Sequence, residues 1–520
     1  MSATETGPVY FDPYKVEIRN DPYPTYKRLR EEAPLYYNEE YDFYALSRFE
    51  DIERSLSDRE TYISGRGDIL EIIKSNTQFP PGVFIMEDPP QHTVHRGLVA
   101  KVFTPKRVNA LEPKIREFCA RYLDPLIGTG QFDFVADLGA QMPMRVIGML
   151  LGIPEQDLEA VRARADSNLR TEPGKPMAYS VSQTAGESFE EYIEWRTKHP
   201  ADDLMTELLN AEFKDETGSV RKMTRGEILS MVNMLAGAGN ETTNRLIGWT
   251  GKLLAEHPDQ RRQIVEDRAL IPAAIEEILR YEPPGPQVGR YVNRDVELYG
   301  RKIPKGSTML FILASANRDE RRYPDGDRFD IHRQMRPHMV FGHGIHTCIG
   351  AALARIEGRL ALDEILNRFP DWEVDYDDAR LMSTSTVRGW DALPVFTRPG
   401  SRPTRTRDEA AKVEKPDPST APASVEGKWT VTIKGPTGPM ATTLILEHVD
   451  GVLTGTQSGQ GVTSPISQAR LEGSHLFWVN EVTKPMKLRL EFAGVIEGNV
   501  ISGKVKTGFM GSYPFTGIKE

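Results

Sequence analysis

At 520 residues the chain is too long for one hydrophobic core, so two or more domains are expected. A net charge of −10 with no basic run excludes a nucleic-acid footprint. Two cysteines exclude a disulfide framework and fit a reducing, cytoplasmic compartment; the start, Met1-Ser-Ala-Thr-Glu-Thr-Gly-Pro8, carries no signal or anchor pattern, and no later stretch is expected to supply the roughly 18 apolar residues that span a bilayer.

Residues 1–397 read as one large, mostly helical unit. Its first notable run, Glu87-Asp-Pro-Pro-Gln-His92-Thr-Val-His95-Arg96, places a histidine and an arginine one helical turn apart. Thr224-Arg-Gly-Glu227 is a capping box, and nothing breaks the pattern until Pro258. This predicts a helix of about 30 residues, roughly 45 Å long. Ile228, Met231, Leu235, Ala238, Thr242, Leu246, Trp249 and Leu253 fall on one stripe of it. A polar Thr242 in that stripe is odd, and Gly237, Gly239 and the β-branched pair Thr242-Thr243 weaken the helix locally. Taken alone, the threonine either bonds back to the carbonyl four residues earlier, with Glu241 solvated beside it, or serves chemistry.

Glu277 and Arg280 follow as an i,i+3 pair, usually a weak surface contact, with Arg290 after Pro286-Gln-Val-Gly and Arg333 in Phe329-Asp-Ile-His-Arg333. Phe341-Gly342-His-Gly344-Ile-His346-Thr-Cys348-Ile-Gly350 then leads into a run without a breaker to Leu366. Cys348 is thereby expected at a helix N-terminus, where unpaired N–H groups and the helix dipole favour a thiolate. Cys119, in Ile115-Arg-Glu-Phe-Cys119-Ala, reads as a buried, inert thiol.

Residues 398–424 are rich in Pro, Ser, Thr and charge and read as an extended linker. Residues 425–520 alternate in short runs (Trp429, Val431, Ile433; Leu444, Leu446; Leu476, Trp478; Leu488, Leu490, Phe492) with turn signals at Asp450-Gly451, Glu472-Gly473 and Glu497-Gly498. They predict an antiparallel β domain of seven or eight strands, either meander barrel or sandwich. Asp450-Gly-Val-Leu-Thr-Gly455 and Glu497-Gly-Asn-Val-Ile-Ser-Gly503 echo one another. From Ser401 onward 14 basic side chains face 12 acidic ones, so the tail is no acidic electron carrier. It carries no metal spacing or nucleophile constellation, which leaves a lipid-holding barrel and an interaction module both open.

The loop from Phe341 to Gly350 resembles the haem-binding loop of the cytochrome P-450 superfamily, a resemblance covering about three quarters of the chain. It implies a mainly α fold with small β-sheets, a haem b cofactor and O2 as co-substrate. In that pattern Cys348 is the metal ligand, with Phe341, Gly342 and Gly350 shaping the haem loop. Ala238 and Gly239 admit O2 to the cofactor; Thr242 and Glu241 are the catalytic pair that supplies protons. His92, Arg96, Arg290 and His346 match positions that bind the haem propionates. Glu277, Arg280 and Arg333 match a structural triad. The substrate would be a hydrophobic small molecule (terpenoid, steroid, fatty acid or similar), its pocket expected from Ile85, Met86, Met234, Val288, Val387 and Trp390. With no flavin cradle or iron–sulfur spacing in the chain, electrons would come from a ferredoxin and its NAD(P)H-dependent reductase, docking on Lys101, Lys106 and Arg107. A peroxide-driven peroxygenase and a non-catalytic haem sensor are the alternatives.

Overall fold

The computed structural model describes residues 7–177, 187–397 and 425–519, less position 216 and the short loops 436–437, 450–451, 460–461, 473, 483–487 and 507–511. The chain divides into two compact units, Met1–Ser401 and Arg402–Glu520. The stretch read as a linker, 398–424, lies outside the described residues.

The first unit is built around one helix. The elements used below are α1 (Gln91–Ala100), α2 (Glu112–Leu123), α3 (Met142–Leu151), α4 (Arg225–Glu256), α5 (Ile271–Tyr281) and α6 (Ala351–Arg368). The 32-residue α4 starts as its sequence predicts: the Thr224 hydroxyl accepts the Glu227 N–H, and the Glu227 carboxylate accepts the Thr224 N–H at 2.7 Å. Both faces of α4 are covered, by α3 and the turn Phe134–Gly139 on one side and by α5 and α6 on the other. Small residues permit these crossings. A Cβ on Gly251 would lie 2.6 Å from the Phe134 ring, and one on Gly358 of α6 would lie 2.9 Å from Leu246. Cys119 is buried in this core, on α2 against α6.

Phe134–Leu151 does reach the length and apolarity of a membrane span, contrary to expectation. It is a π-helical turn followed by α3, and Phe134, Leu138, Met142, Val146, Ile147 and Leu151 are all buried in the core around α4. Beside the helices lies a five-stranded sheet of β1 (Leu35–Asn38), β2 (Phe43–Leu46), β3 (Tyr62–Ile63), β4 (Val288–Val292) and β5 (Thr308–Phe311), in the order β1-β2-β5-β4-β3.

The i,i+3 pair on α5 is not a surface contact. Glu277 and Arg280 are fully buried, joined by two 2.7 Å bonds. Glu277 also accepts the Arg333 Nε–H at 3.2 Å and the Asp330 N–H at 2.9 Å. The two guanidiniums then donate to the carbonyls of Asn317, Gly326, Pro324, Asp325 and Arg328.

The second unit is a closed barrel of eight antiparallel strands: β6 (Gly427–Gly435), β7 (Gly438–Val449), β8 (Val452–Gly459), β9 (Val462–Glu472), β10 (His475–Val482), β11 (Leu488–Glu497), β12 (Val500–Lys506) and β13 (Ser512–Lys519). Each pairs with the next, and β13 returns to β6 with Trp429 opposite Lys519. The meander barrel is therefore the architecture adopted. Aromatic rings fill its interior: Trp478 stacks on Phe492 at 4.4 Å, and Phe515 meets both edge-on. The echoed glycines have one cause. A Cβ on Gly455 would collide with the Ile445 carbonyl across the ladder, and one on Gly503 with that of Ala493.

Removing one partner of a buried ion pair leaves the other charge uncompensated, at a cost of about 3–5 kcal/mol. Arg280→Ala should therefore lower the unfolding free energy of the first unit by that amount, read from urea titration of its tryptophan fluorescence. A loss below about 1 kcal/mol, the size of an exposed pair, would contradict the burial argument.

Candidate active site

Cys348 opens onto a cavity of ≈ 330 Å³. One wall is α4, through Met234, Leu235, Ala238, Gly239, Thr242, Thr243 and Leu246. The other is the cysteine loop and the start of α6, through Gly350, Leu353, Ala354 and Glu357. The loop is wound on itself. The Cys348 N–H donates to the Phe341 carbonyl at 2.8 Å, a 3₁₀ turn runs from Gly344 to His346, and Gly342 and Gly344 sit at φ +71° and +72°, where a side chain would be strained. Phe341 itself is covered by the Arg355 guanidinium, 4.4 Å above its ring.

Burial pushes the Cys348 thiol above its ordinary value, against the Gly350 N–H and the charges of Arg96 and Arg355. A coordinated metal cation opposes this, since it deprotonates a thiol ligand outright. Cys119 has no such outlet. Burial drives its thiol up to about 12, as its reading as inert requires.

At one edge of the cavity, donors converge, with Asp68 beside Arg290. Arg96, Arg290 and His346 line it, and the His92 ring lies 4.3 Å from that of His346. Arg290 is buried and bonds its own neighbour, the Gly289 carbonyl, at 2.7 Å. Arg96 donates to the Thr347 carbonyl. Both ring nitrogens of His92 and Nε2 of His346 are buried without a partner among the described residues. Burial, then the charges of Arg290, His92 and Arg96, push His346 down to about 3. Such a cluster fits an anionic ligand, and the two carboxylates of haem b beside a cysteine thiol match its chemistry.

On α4 the apolar stripe opens where it meets the cavity. Ala238 is exposed there, between buried Leu235 and buried Leu246, and Thr242 lines the gap. The Thr242 hydroxyl donates to the Ala238 carbonyl at 2.9 Å, the back-bond weighed for it; its oxygen retains acceptor capacity toward the cavity. Glu241 is neither solvated nor in the cavity lining. It is 2% exposed and held by Arg245 at 2.7 Å and Asn240 at 2.9 Å. Burial raises its carboxyl, with Arg245 acting in the opposite sense. Consecutive helical residues point about 100° apart, so the structure brings Thr242 to Cys348 and turns Glu241 elsewhere. Gly239 owes its small size to α3: a Cβ there would lie 2.9 Å from Ile147.

Of the expected pocket residues, Ile85, Met234 and Val288 line the cavity; Met86, Val387 and Trp390 do not. Trp390 packs on Trp249, and Val387 borders a separate small pocket with Arg19. Two acids in the wall were not anticipated. Glu357 is fully buried with Oε1 unpartnered, and burial raises it well above the carboxylate range, against a Thr243 hydrogen bond. Its signal was faint: a charge on the Leu353, Ala354, Glu357 face of α6. Asp68 also lines the cavity, raised by burial and lowered by Arg290.

Comparison with known proteins agrees with this geometry. The family model "Cytochrome P450" matches residues 180–390. "Putative cytochrome P450 123" of Mycobacterium tuberculosis is 37% identical over 390 residues, 74% of this chain and 96% of that protein. The monooxygenase PikC of Streptomyces venezuelae is 34% identical over 73% of this chain and 92% of its own length. Among solved structures, CYP109E1 of Bacillus megaterium in complex with testosterone aligns with a TM-score of 0.66 at 29% identity, covering 74% of this chain and all of that one. A mutant of P450 EryK with erythromycin B aligns at 0.64 and 31%, covering 73% and 96%. With such identity running through nearly the whole of these relatives, the chain belongs to the cytochrome P450 family, monooxygenases that bind haem b and draw their oxygen from O2.

Proposed function

We propose that this enzyme inserts one oxygen atom from O2 into a hydrophobic molecule of steroid or macrolide size, with electrons from a separate ferredoxin and its NAD(P)H-dependent reductase. One observation carries the reading: Cys348 and the Ala238–Thr242 gap face each other across a cavity whose remaining walls include Ile85, Met234, Leu235 and Val288. Testosterone and erythromycin B, bound in the two solved relatives, supply the size class. The setting is an intracellular one, as two free thiols suit.

Haem b, when bound, supplies the iron centre at which O2 is reduced and split, one atom going to substrate and the other to water. The chain's residues do the rest. Cys348 would hold the iron through its sulfur, a thiolate whose electron donation favours O–O cleavage. Arg96, Arg290, His92 and His346 hold the propionates. Ala238 leaves room for O2, and Thr242 offers its hydroxyl oxygen as an acceptor at that point. Glu241 takes the outer end of the proton path and reaches the cavity by exchanging its ion pair with Arg245. Lys101 and Lys106 are exposed and suit an acidic ferredoxin; Arg107, expected with them, is instead engaged by Glu207 at 2.6 Å. A steroid and macrolide panel, screened by Soret shift and then by NAD(P)H-driven turnover with a surrogate ferredoxin pair, tests the reading. Turnover with peroxide alone, and none with ferredoxin, would favour a peroxygenase.

Cys348→Ala should abolish the thiolate-type carbon monoxide difference band, and Cys119→Ala should leave it intact. The reverse pattern would overturn the ligand assignment. Thr242→Ala should retain haem and substrate shifts while reducing equivalents go to peroxide. Positioned proton transfer is worth about 10²–10⁴-fold, so product per NAD(P)H should fall toward that range. Unchanged coupling would remove Thr242 from the proton path. The barrel is proposed as an accessory module, since chemistry has its donors before Phe396. A chain ending at Pro399 should bind haem and turn over within about twofold of full length; a larger loss with haem intact would give the barrel a part in substrate or electron delivery.

A further inference from the structure

His95 has no part in the site described above, yet it is 3% exposed and sits between two acids. Its Nδ1 lies 2.9 and 2.8 Å from the Glu87 oxygens, and its Nε2 3.7 Å from Glu227 Oε1. Glu87 also accepts the Gly82 N–H at 2.8 Å, which closes the segment 82–87 on itself. Within that segment Phe84 and Ile85 line the cavity. Glu227 is the capping-box acid of α4, bound to both terminal nitrogens of Arg221 at 2.8 Å. The segment lies directly on that cap: a Cβ on Gly82 would collide with the Glu227 carbonyl.

We propose that His95, with both ring nitrogens protonated, is a positioning residue that fastens the 82–87 wall of the substrate cavity to the cap of the long helix, making closure of that wall proton-linked. A neutral imidazole has one N–H and one lone pair. Here both nitrogens face carboxylates, so the neutral ring can attract one and must present its lone pair to the other. The charges point the same way. Glu87 and Glu227 bring two negatives to a buried seam, and Arg221 brings one positive, shared with Asp215 at 3.3 Å. The imidazolium supplies the missing charge. Other charged groups of the elements around it have partners of their own: Arg96 donates to Thr347, Asp88 accepts from Ser64 and Gly65, and Glu207 pairs with Arg107. In a seam of low polarity such an imbalance is felt strongly. Loss of that proton turns the Glu227 arm from attraction to repulsion, and Phe84 and Ile85 lose their anchor.

Hydrogen–deuterium exchange on the haem-loaded full chain, followed across the pH range in which the chain keeps its haem, reads this directly. After correction for intrinsic rates, amide opening in residues 82–87 should rise with pH, by up to about tenfold per unit, the limit for one linked proton. Residues of α6 serve as the control for global opening. His95→Gln should show a flat profile with weaker protection at low pH. Glu87→Gln removes one negative and should also flatten it, which keeps the test decisive if His95→Gln fails to fold. A flat wild-type profile, or the same slope in both variants, overturns the proposal. Carbon monoxide difference spectra on the same samples report the haem-thiolate assignment separately, so either can fail alone.

Discussion

A single carboxylate with no access to water organises the approach to the cysteine loop. Glu277 takes donors from Arg280, Arg333 and the Asp330 backbone, and the two arginines pass the connection on to five carbonyls between residues 317 and 328. That stretch has neither helix nor strand of its own to satisfy its backbone. Buried carbonyls need partners, and long irregular segments inside a compact domain are uncommon because few arrangements provide them. Here guanidiniums replace the ladder. An ion pair this deep contributes little net stability, but it admits few alternative packings of the chain that delivers Cys348.

The long helix adds a second constraint, because it must be buried all round and still leave a gap. Its buried polar residues show how this is met. Arg245 is 1% exposed and held by Glu241 and the Trp390 carbonyl; Asn244 fits where Gly139 makes room. Ala238 and Thr242 alone break the packed stripe on the cavity side. The surrounding acids are separated by environment. Glu241 has a guanidinium partner, whereas Glu357 has none and is the more strongly raised of the two.

Much of this was legible in the residues. The cysteine loop, the capping box, the triad and the donors at His92, Arg96, Arg290 and His346 each need particular residue types at fixed spacing, and spacing survives in one dimension. What was not legible depends on three. The stripe puts Thr242 on the face of Ala238, but nothing in it says that Glu241 is buried on Arg245 rather than solvated, since that follows from what packs against α4. That Gly239 also makes room for Ile147 was hidden, because its neighbour in space lies far away in sequence. Trp390 and Val387 were placed by analogy and packed elsewhere. Alternating strands are the same in a sandwich and a barrel; the choice lies in whether the first and last strands meet.

That they do meet has a consequence for the barrel as an object. Its first and last strands are partners, with Thr430 opposite Ile518 and Trp429 opposite Lys519, so the chain enters and leaves at the same point on the rim. No strand is left with an open edge to recruit a neighbour. The order of strands around such a ring is independent of where the ring is cut. Joining the chain ends by a short bridge between Gly427 and Lys519 and opening any hairpin, for instance between Glu497 and Val500, would give a circular permutant that keeps all eight strand pairings.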